Sequence, residues 1–198
     1  VFAPQDNLNT DALYPGKYTY QDDITPERQA QVVMENYDPS FASSIAQERA
    51  RRADNGEDAA VVLVSGYNFG TGSSREQAAT ALKYAGVPVV LAGSFSDVFK
   101  RNAINNGLIC LQCPELVDDL TSSYAKDGQR GAGGRQPGEL SVLLRDATVS
   151  LNSRTGAVEL RFGNGSVKHY TTRPAGIGRS IQEIYVAGGM ESWVKQRL

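Results

Sequence analysis

Three short apolar runs, separated by segments with helical patterns, constrain the fold of this chain more than any other feature. The runs are Ala59–Val64, Val87–Leu91 and Leu108–Leu111. Continuous apolar runs of this length are typical of strands buried on both faces of a parallel sheet. The intervening sequence predicts an alanine-rich helix over about 74–85 and another from Ser96 to Gly107. We therefore expect an α/β fold in which a parallel-centred sheet is flanked by helices.

The segments on either side of this core follow other patterns. The first twenty residues are rich in turn-forming residues and are expected to be extended, and Thr25-Pro26 then predicts a capped helix. Residues 123–138 combine glycines with charges and predict a flexible loop. Residues 139–198 predict antiparallel β-ribbons and a C-terminal helix. We expect a single domain whose α/β core spans 1–122.

Composition excludes some partners. Lysine and arginine total 20 against 22 acidic residues in a chain of 198, so no cationic excess favours nucleic acid as the main partner. No run of about 18 apolar residues occurs, and we expect no membrane-spanning segment. The chain starts at Val1 without a targeting pattern, which suggests a processed or excised piece of something longer.

The polar loop after the first apolar run is the strongest candidate for a functional site. Ligands of parallel α/β sheets bind at this end of the strands. Gly70 and Gly72 allow close approach of the backbone to a bound group, and the following helix start favours an anion. Arg75 adds a planar fork for a carboxylate, beside the hydroxyls of Ser73 and Ser74. The alternative is that Ser73 only caps the helix and Arg75 pairs with a surface acid.

Other common catalytic motifs are incomplete in this chain. The loop lacks the lysine of a phosphate-binding P-loop and the third glycine of a dinucleotide site. The single histidine, His169, lies in a predicted ribbon, which gives a hydrolase triad little support. Cys110 and Cys113 form a Cys-x-x-Cys pair, for which buried structural thiols are the first interpretation and a redox site is the alternative.

The sequence Gly70-Thr-Gly-Ser-Ser-Arg-Glu76 resembles the signature of the aconitase swivel domain, which is also the small subunit of isopropylmalate isomerases. Two further segments match in the same order: Asp6–Asp11 followed by Tyr14-Pro15, and Gly93–Phe99 followed by Asn102, Asn105 and Asn106. Together the matches span roughly the first 115 residues. Within the family, Tyr14–Asp23 and the glycine-rich insertion look most like fungal homoaconitases, in which this domain is the C-terminal part of one polypeptide.

The resemblance implies a hydro-lyase that interconverts homocitrate, homoaconitate and homoisocitrate in lysine biosynthesis. It implies Ser73 as the general base in its alkoxide form, Arg75 as the clamp of a substrate carboxylate and Ser74 as a further donor to that carboxylate. Substrate side groups would be discriminated by Lys17, Tyr18 and Thr19, although packing of an aromatic-rich strand also accounts for Tyr18. The residues that would support the Ser73 loop are Asn9, Thr10, Asp11, Gly70 and Gly72. A plain turn would also use Asn9, Thr10 and Asp11.

The family's cofactor is a [4Fe–4S] cluster held by three cysteines of other domains, and this chain contains only two cysteines. The resemblance thus implies three things: a tricarboxylic hydroxy acid as substrate, cluster-bearing domains of the same polypeptide as partner, and the mitochondrial matrix as location. The isolated chain is expected to be inactive. Three alternatives stay open: an isopropylmalate isomerase small subunit in leucine biosynthesis, a stand-alone anion- or phosphate-binding module, and a structural or regulatory domain.

Overall fold

A four-stranded parallel sheet lies at the centre of the structure, a computed structural model that describes residues 1–21, 23–57, 60–127 and 140–198. The strands, in spatial order, are β1 (Phe2–Ala3), β2 (Val62–Ser65), β3 (Val89–Ala92) and β4 (Ile109–Gln112). All three neighbouring pairs are parallel, with Leu63 opposite Val90 and Val90 opposite Cys110. The three predicted strands are thereby confirmed. β1 was not predicted, because its two residues carry no periodic signal.

Eight α-helices and one 3₁₀ turn occur in the described part of the chain. The helices are α1 (Thr10–Leu13), α2 (Pro26–Val32), α3 (Phe41–Asp54), α4 (Gln77–Tyr84), α5 (Asp97–Asn105), α6 (Pro114–Asp127), α7 (Arg179–Val186) and α8 (Met190–Lys195), and the 3₁₀ turn is Gly16–Tyr18. Thr25 caps α2 as predicted, since its side chain accepts the N–H of Arg28. The expected extended segment over the first twenty residues is wrong, because α1 and the 3₁₀ turn lie within it. The predicted C-terminal helix is two short helices.

The central sheet is covered on both faces, and successive residues of each strand point to opposite sides. Leu63 and Val90 face a core shared with α1 to α5, whereas Val64 and Leu91 face a second core shared with α6 and the C-terminal strands. This double burial is why the strands read as continuous apolar runs instead of alternating ones.

The C-terminal part forms a separate antiparallel sheet of three strands, as predicted. It contains β5 (Ala147–Leu151), β6 (Ala157–Phe162) and β7 (Val167–Thr171). The flanking segments cover both edges of the parallel sheet, because Val142 bridges to Phe2 and Arg173 bridges to Gln112. Covered edges remove the unpaired backbone groups through which strands associate with other chains.

Two further expectations concern the loop over 123–138 and membrane-spanning segments. The predicted loop over 123–138 begins too early, because residues 123–127 belong to α6; the rest of it, from 128, lies outside the described residues. None of the helices in the described ranges is long and apolar enough to cross a membrane.

Candidate active site

The candidate site lies where β1 and β2 end, because the segments that follow these two parallel strands meet there. Residues 66–76 follow β2, and residues 4–19 follow β1. The two segments are joined by a bridge between Asn9 and Thr71, and the N–H of Thr10 donates to the carbonyl of Thr71 at 2.8 Å. The sheet thus brings together residues about sixty positions apart, at the strand ends where α/β proteins place their ligands.

The two glycines of the loop allow it to pack against the protein. Gly70 has a φ of 75°, and a Cβ there would lie 2.2 Å from Cγ of Phe99. Gly72 has a φ of 101°, and a Cβ there would lie 3.4 Å from the hydroxyl oxygen of Thr10. The left-handed backbone favours glycine at both positions, and at Gly70 the contact with Phe99 also leaves no room for a Cβ. On the side where a Cβ would project, these glycines contact Phe99 and Thr10, and their approach to a ligand stays a prediction.

Ser73 is held by Thr10, which is buried at the start of α1. The two hydroxyl oxygens lie 2.9 Å apart, and the backbone N–H of Ser73 donates to the same Thr10 oxygen at 3.1 Å. Because the Thr10 hydroxyl already accepts this N–H, its own proton is available for the oxygen of Ser73. Thr10 is therefore placed to stabilise negative charge on Ser73, while the side chain of Ser73 faces solvent.

The helix after the loop begins later than predicted. The expected start at about 74 is wrong, because the first helical residue is Gln77 and the cap position is Glu76. Ser73 therefore does not cap α4, which overturns the alternative interpretation of this serine. The first-turn N–H groups of α4 were expected to favour an anion beside Ser73. Because the helix begins at Gln77, these groups lie further from Ser73 along the chain than predicted.

Arg75 is anchored by one nitrogen of its guanidinium group. Nη1 donates to Oδ1 of Asp11 at 2.8 Å and to the carbonyl of Tyr14 at 3.2 Å. Among the described residues, neither Nε nor Nη2 has a hydrogen-bond acceptor. The open edge of the guanidinium therefore retains the paired donors that suit a carboxylate. The alternative interpretation, in which Arg75 pairs with an acid, is confirmed by its contact with Asp11, and binding of a carboxylate by the other edge stays a prediction.

Asp11 connects several parts of the site. Its Oδ1 accepts the N–H of Gly16 at 2.9 Å as well as Nη1 of Arg75. These bonds, with the amide of Asn36, lower the pKa of Asp11 below its ordinary value of 3.8. Asp11 is therefore ionised at neutral pH, when it pairs with Arg75. Asn9 supports the same helix, because its side chain accepts the N–H of Ala12 at 2.8 Å and caps α1.

Ser74 is exposed, and its carbonyl accepts a hydrogen bond from the amide of Asn102 at 3.1 Å. Asn102 lies on α5, the helix that also carries Phe99 beneath Gly70. The family resemblance had already drawn attention to Asn102, although without a contact for it. We call residues 73–75 the serine–arginine segment; α1 and α5 hold it from two sides.

Residues 17–19, here called the Lys17 loop, lie in and just after the 3₁₀ turn, so the alternative of an aromatic-rich strand is wrong. Nζ of Lys17 lies 2.6 Å from Oε1 of Glu35, and the hydroxyl of Tyr18 donates to Oε2 of the same carboxylate at 3.0 Å. The hydroxyl of Thr19 is buried without a partner among the described residues. The hydrogen bond to Glu35 raises the pKa of Lys17, and the pKa of Glu35 is lowered.

The remaining candidates lie outside the site. Cys110 and Cys113 are free and buried, and burial raises the pKa of both thiols, which keeps them protonated and favours the structural interpretation over the redox one. His169 lies on β7, in the antiparallel sheet. Glu35 and Asn36 contact site residues but were missed, because the sequence around them indicates only the end of a helix.

The fold and this motif define the class of protein. Residues 6–116 match the family described as the aconitase C-terminal domain, which is more than half of the chain. The chain therefore belongs to the aconitase C-terminal domain family.

The chain is also similar to individual proteins with known names. The chain is 60% identical over its whole length to the mitochondrial homoaconitase of Mycosarcoma maydis, and 52% identical to that of Cryptococcus neoformans. It spans 27% of the length of each of these relatives. Among solved structures, it resembles a 3-isopropylmalate dehydratase from Methanocaldococcus jannaschii with a TM-score of 0.63 and 29% identity, covering 97% of this chain and 89% of that one.

Proposed function

We propose that this chain is the swivel domain of a mitochondrial homoaconitase that acts in lysine biosynthesis. The reaction is the reversible loss and addition of water that interconverts homocitrate, homoaconitate and homoisocitrate. The Mycosarcoma and Cryptococcus relatives are mitochondrial homoaconitases, which supports this substrate class and this location.

One observation supports the chemistry above all others. The serine–arginine segment is held by hydrogen bonds to the protein, while its two hydroxyls and one edge of its guanidinium group have room for a ligand. Thr10 and Asn102 hold its backbone, and Asp11 holds one nitrogen of Arg75. The hydroxyls of Ser73 and Ser74 and the second edge of Arg75 remain available to a ligand. A group of this kind, already oriented before substrate arrives, loses little entropy in the reaction.

In the proposed mechanism, Ser73 acts as the base of the elimination. Its alkoxide takes a proton from a carbon of the substrate, a carbon–carbon double bond forms, and the hydroxyl on the neighbouring carbon leaves as hydroxide, which one further proton from outside this chain would convert to water. Hydration reverses these steps, and Ser73 returns the proton to carbon. Thr10 donates to the Ser73 oxygen while that oxygen carries charge, and Arg75 binds a substrate carboxylate through Nε and Nη2 with Ser74 beside it.

The iron–sulfur cluster implied by the family does not fit the residues of this chain. Both cysteines are buried and protonated, and no group of three potential metal-binding side chains occurs in the described ranges. We therefore propose that the cluster and its ligands belong to other domains of the full polypeptide. This division would leave the isolated chain inactive.

A second candidate function is 3-isopropylmalate dehydration, which the structural similarity to the Methanocaldococcus protein favours. The two candidates require the same base and the same arginine. They differ in the substrate group that faces the Lys17 loop.

The test uses the full-length polypeptide, purified anaerobically and assayed with homoisocitrate, homocitrate and 3-isopropylmalate. We expect homoaconitate, followed by its ultraviolet absorbance, to form from the homologated substrates. Substitution Ser73→Ala should lower kcat by about 10²–10⁴-fold, the usual contribution of a general base. Turnover of 3-isopropylmalate alone would establish the second candidate instead.

The matched control is Ser192→Ala, which removes an exposed hydroxyl from α8. It should leave kcat unchanged within experimental error. Binding of tricarboxylates without turnover by an enzyme with an intact cluster would support the anion-binding interpretation and contradict the hydro-lyase.

A further inference from the structure

The turn after α2 holds two consecutive polar side chains against two different parts of the site. The turn is anchored at Met34, which is fully buried with a φ of 57° and whose N–H donates to the carbonyl of Leu13 at 2.8 Å. The N–H of Tyr37 closes the turn on the carbonyl of Met34 at 2.9 Å. Glu35 and Asn36 lie between these fixed points.

Glu35 holds the Lys17 loop with both of its carboxylate oxygens. One oxygen pairs with Nζ of Lys17, and the other accepts the hydroxyl of Tyr18. Nζ also lies 4.9 Å from the centre of the Tyr18 ring. Because the carboxylate is engaged at both oxygens, it fixes the direction of Lys17 and the orientation of the ring together.

Asn36 holds Asp11 by the same kind of double contact. Its amide nitrogen donates to the carbonyl oxygen of Asp11 at 3.0 Å and to Oδ2 at 3.1 Å. The other carboxylate oxygen of Asp11 accepts Nη1 of Arg75 at 2.8 Å. Asn36 therefore fixes the carboxylate that fixes Arg75.

We propose that Glu35 and Asn36 form one positioning unit that sets the distance between the Lys17 loop and Arg75. This inference depends on the proposed function, in which both groups bind the same substrate. Neither residue of the unit acts on substrate directly, since Glu35 works through Lys17 and Asn36 works through Asp11. Because the two are neighbours in one anchored turn, a displacement of the turn moves both contacts at once.

The first test is Glu35→Gln in the full-length enzyme, assayed with homoisocitrate. We expect KM to rise about fivefold with kcat unchanged, because a binding group loses its orientation while the base is untouched. Glutamine keeps an oxygen that can accept the hydroxyl of Tyr18, so Glu35→Gln removes only the pairing with Lys17 and should add nothing further in combination with Lys17→Met. Additive effects of the two substitutions would overturn the proposal for Glu35.

The matched control is Glu159→Gln in the antiparallel sheet. Glu159 and Glu35 have the same side-chain exposure, 34%, and each pairs with a cation, Arg161 in the case of Glu159. This substitution should change neither KM nor kcat. Equal changes of KM in the two variants would indicate a general effect of lost surface charge and would overturn the proposal.

Asn36 is tested by comparing Asn36→Leu with Asn36→Asp. Leucine removes the donor to Asp11, whereas aspartate replaces it with a like charge facing the Asp11 carboxylate. We expect kcat/KM to fall about fivefold for leucine, because a hydrogen bond to a carboxylate is lost, and about tenfold or more for aspartate, because repulsion replaces that bond. An exposed asparagine without such a role would tolerate both changes, and that result would contradict the proposal.

A measurement without substrate separates this inference from the proposed function. Hydrogen–deuterium exchange over residues 16–21 should become faster in Glu35→Gln and stay unchanged in Glu159→Gln. Unchanged exchange in both would overturn the positioning unit, whatever the substrate is. Faster exchange in an enzyme that turns over no tricarboxylate would leave the positioning of the Lys17 loop established and reject the proposed function.

Discussion

The serine–arginine segment and the Lys17 loop belong to the same candidate site but are held in different ways. The first is fixed through its backbone by a buried threonine and by glycines that pack on Phe99 and Thr10. The second is fixed by side-chain contacts to Glu35, and Lys17 remains 59% exposed. Backbone contacts in a packed region resist substitution, whereas exposed side-chain pairs contribute little to folding stability. In the proposed function, the base is therefore held by the packed scaffold, whereas the substrate-binding loop is held by exposed side-chain contacts.

The largest effect in this comparison is expected for Arg75→Lys. Lysine keeps the charge but loses the planar fork, so the paired hydrogen bonds to a carboxylate are lost. Each such bond contributes about 1.5–3 kcal/mol, which corresponds to a fall in kcat/KM of roughly a hundredfold. Steady-state kinetics of the full-length enzyme measure this. An unchanged kcat/KM would show that only the positive charge of Arg75 is needed, which would remove the difference between Arg75 and Lys17.

Thr10→Val should have the next largest effect. Valine has nearly the shape of threonine but lacks the hydroxyl that contacts Ser73, and we expect kcat to fall about tenfold or more with the loss of one charge-assisted bond. Thr172→Val is the matched control, because Thr172 is equally buried and bonded but lies beyond β7. Equal losses of activity in the two variants would mean that stability, and not contact with Ser73, is responsible.

Lys17→Met should change substrate choice more than rate. We expect KM for homoisocitrate to rise about tenfold with kcat nearly unchanged, which is the pattern of lost binding that is uniform between ground and transition states. The ratio of kcat/KM for homoisocitrate to that for 3-isopropylmalate is the quantity to measure. A large fall in kcat for both substrates would break the distinction between the two parts of the site.

The smallest effect is expected in stability, for Asp11→Asn. The folded-state pKa of Asp11 is lowered, so its contribution to the free energy of unfolding is present above the ordinary pKa of 3.8 and is lost as the pH falls through the folded value. Because Asp11 and Arg75 are partly exposed, this contribution is about 1 kcal/mol or less. Urea unfolding of the wild-type and Asp11→Asn proteins should give a difference in the free energy of unfolding that is smaller near pH 3 than at neutral pH. A difference that is larger in acid would contradict the pairing with Arg75.

Much of the central fold could be predicted, because strands that are buried on both faces have a recognisable local sequence pattern. The runs that became β2, β3 and β4 are apolar without alternation, and the C-terminal strands alternate because only one of their faces is buried. β1 escaped prediction, since a two-residue strand depends on its neighbour. The helical structure of α1 and of the 3₁₀ turn was not predicted, because these segments are rich in turn-forming residues and are stabilised by contacts with residues distant in sequence.

The start of α4 shows how tertiary contacts override local propensity. The sequence from Ser74 onward favours a helix, yet the helix begins at Gln77. The N–H of Ser73 is taken by Thr10 and the carbonyl of Ser74 by Asn102, so these groups are already hydrogen-bonded outside the helix. Such bonds have no local signature, and helix ends are therefore the least predictable part of an element.

The sequence by itself determined the α/β core, the capping of α2 by Thr25 and the motif that contains Ser73 and Arg75. Only the tertiary structure decided which groups surround that motif. Thr10 and Ser73 are 63 positions apart in sequence, and Asn36 and Asp11 are 25 apart, yet each pair is in hydrogen-bond contact. The physical reason is that burial and helix propensity act along neighbouring residues, whereas hydrogen bonds between side chains form between whatever residues the packed sheet and helices bring together.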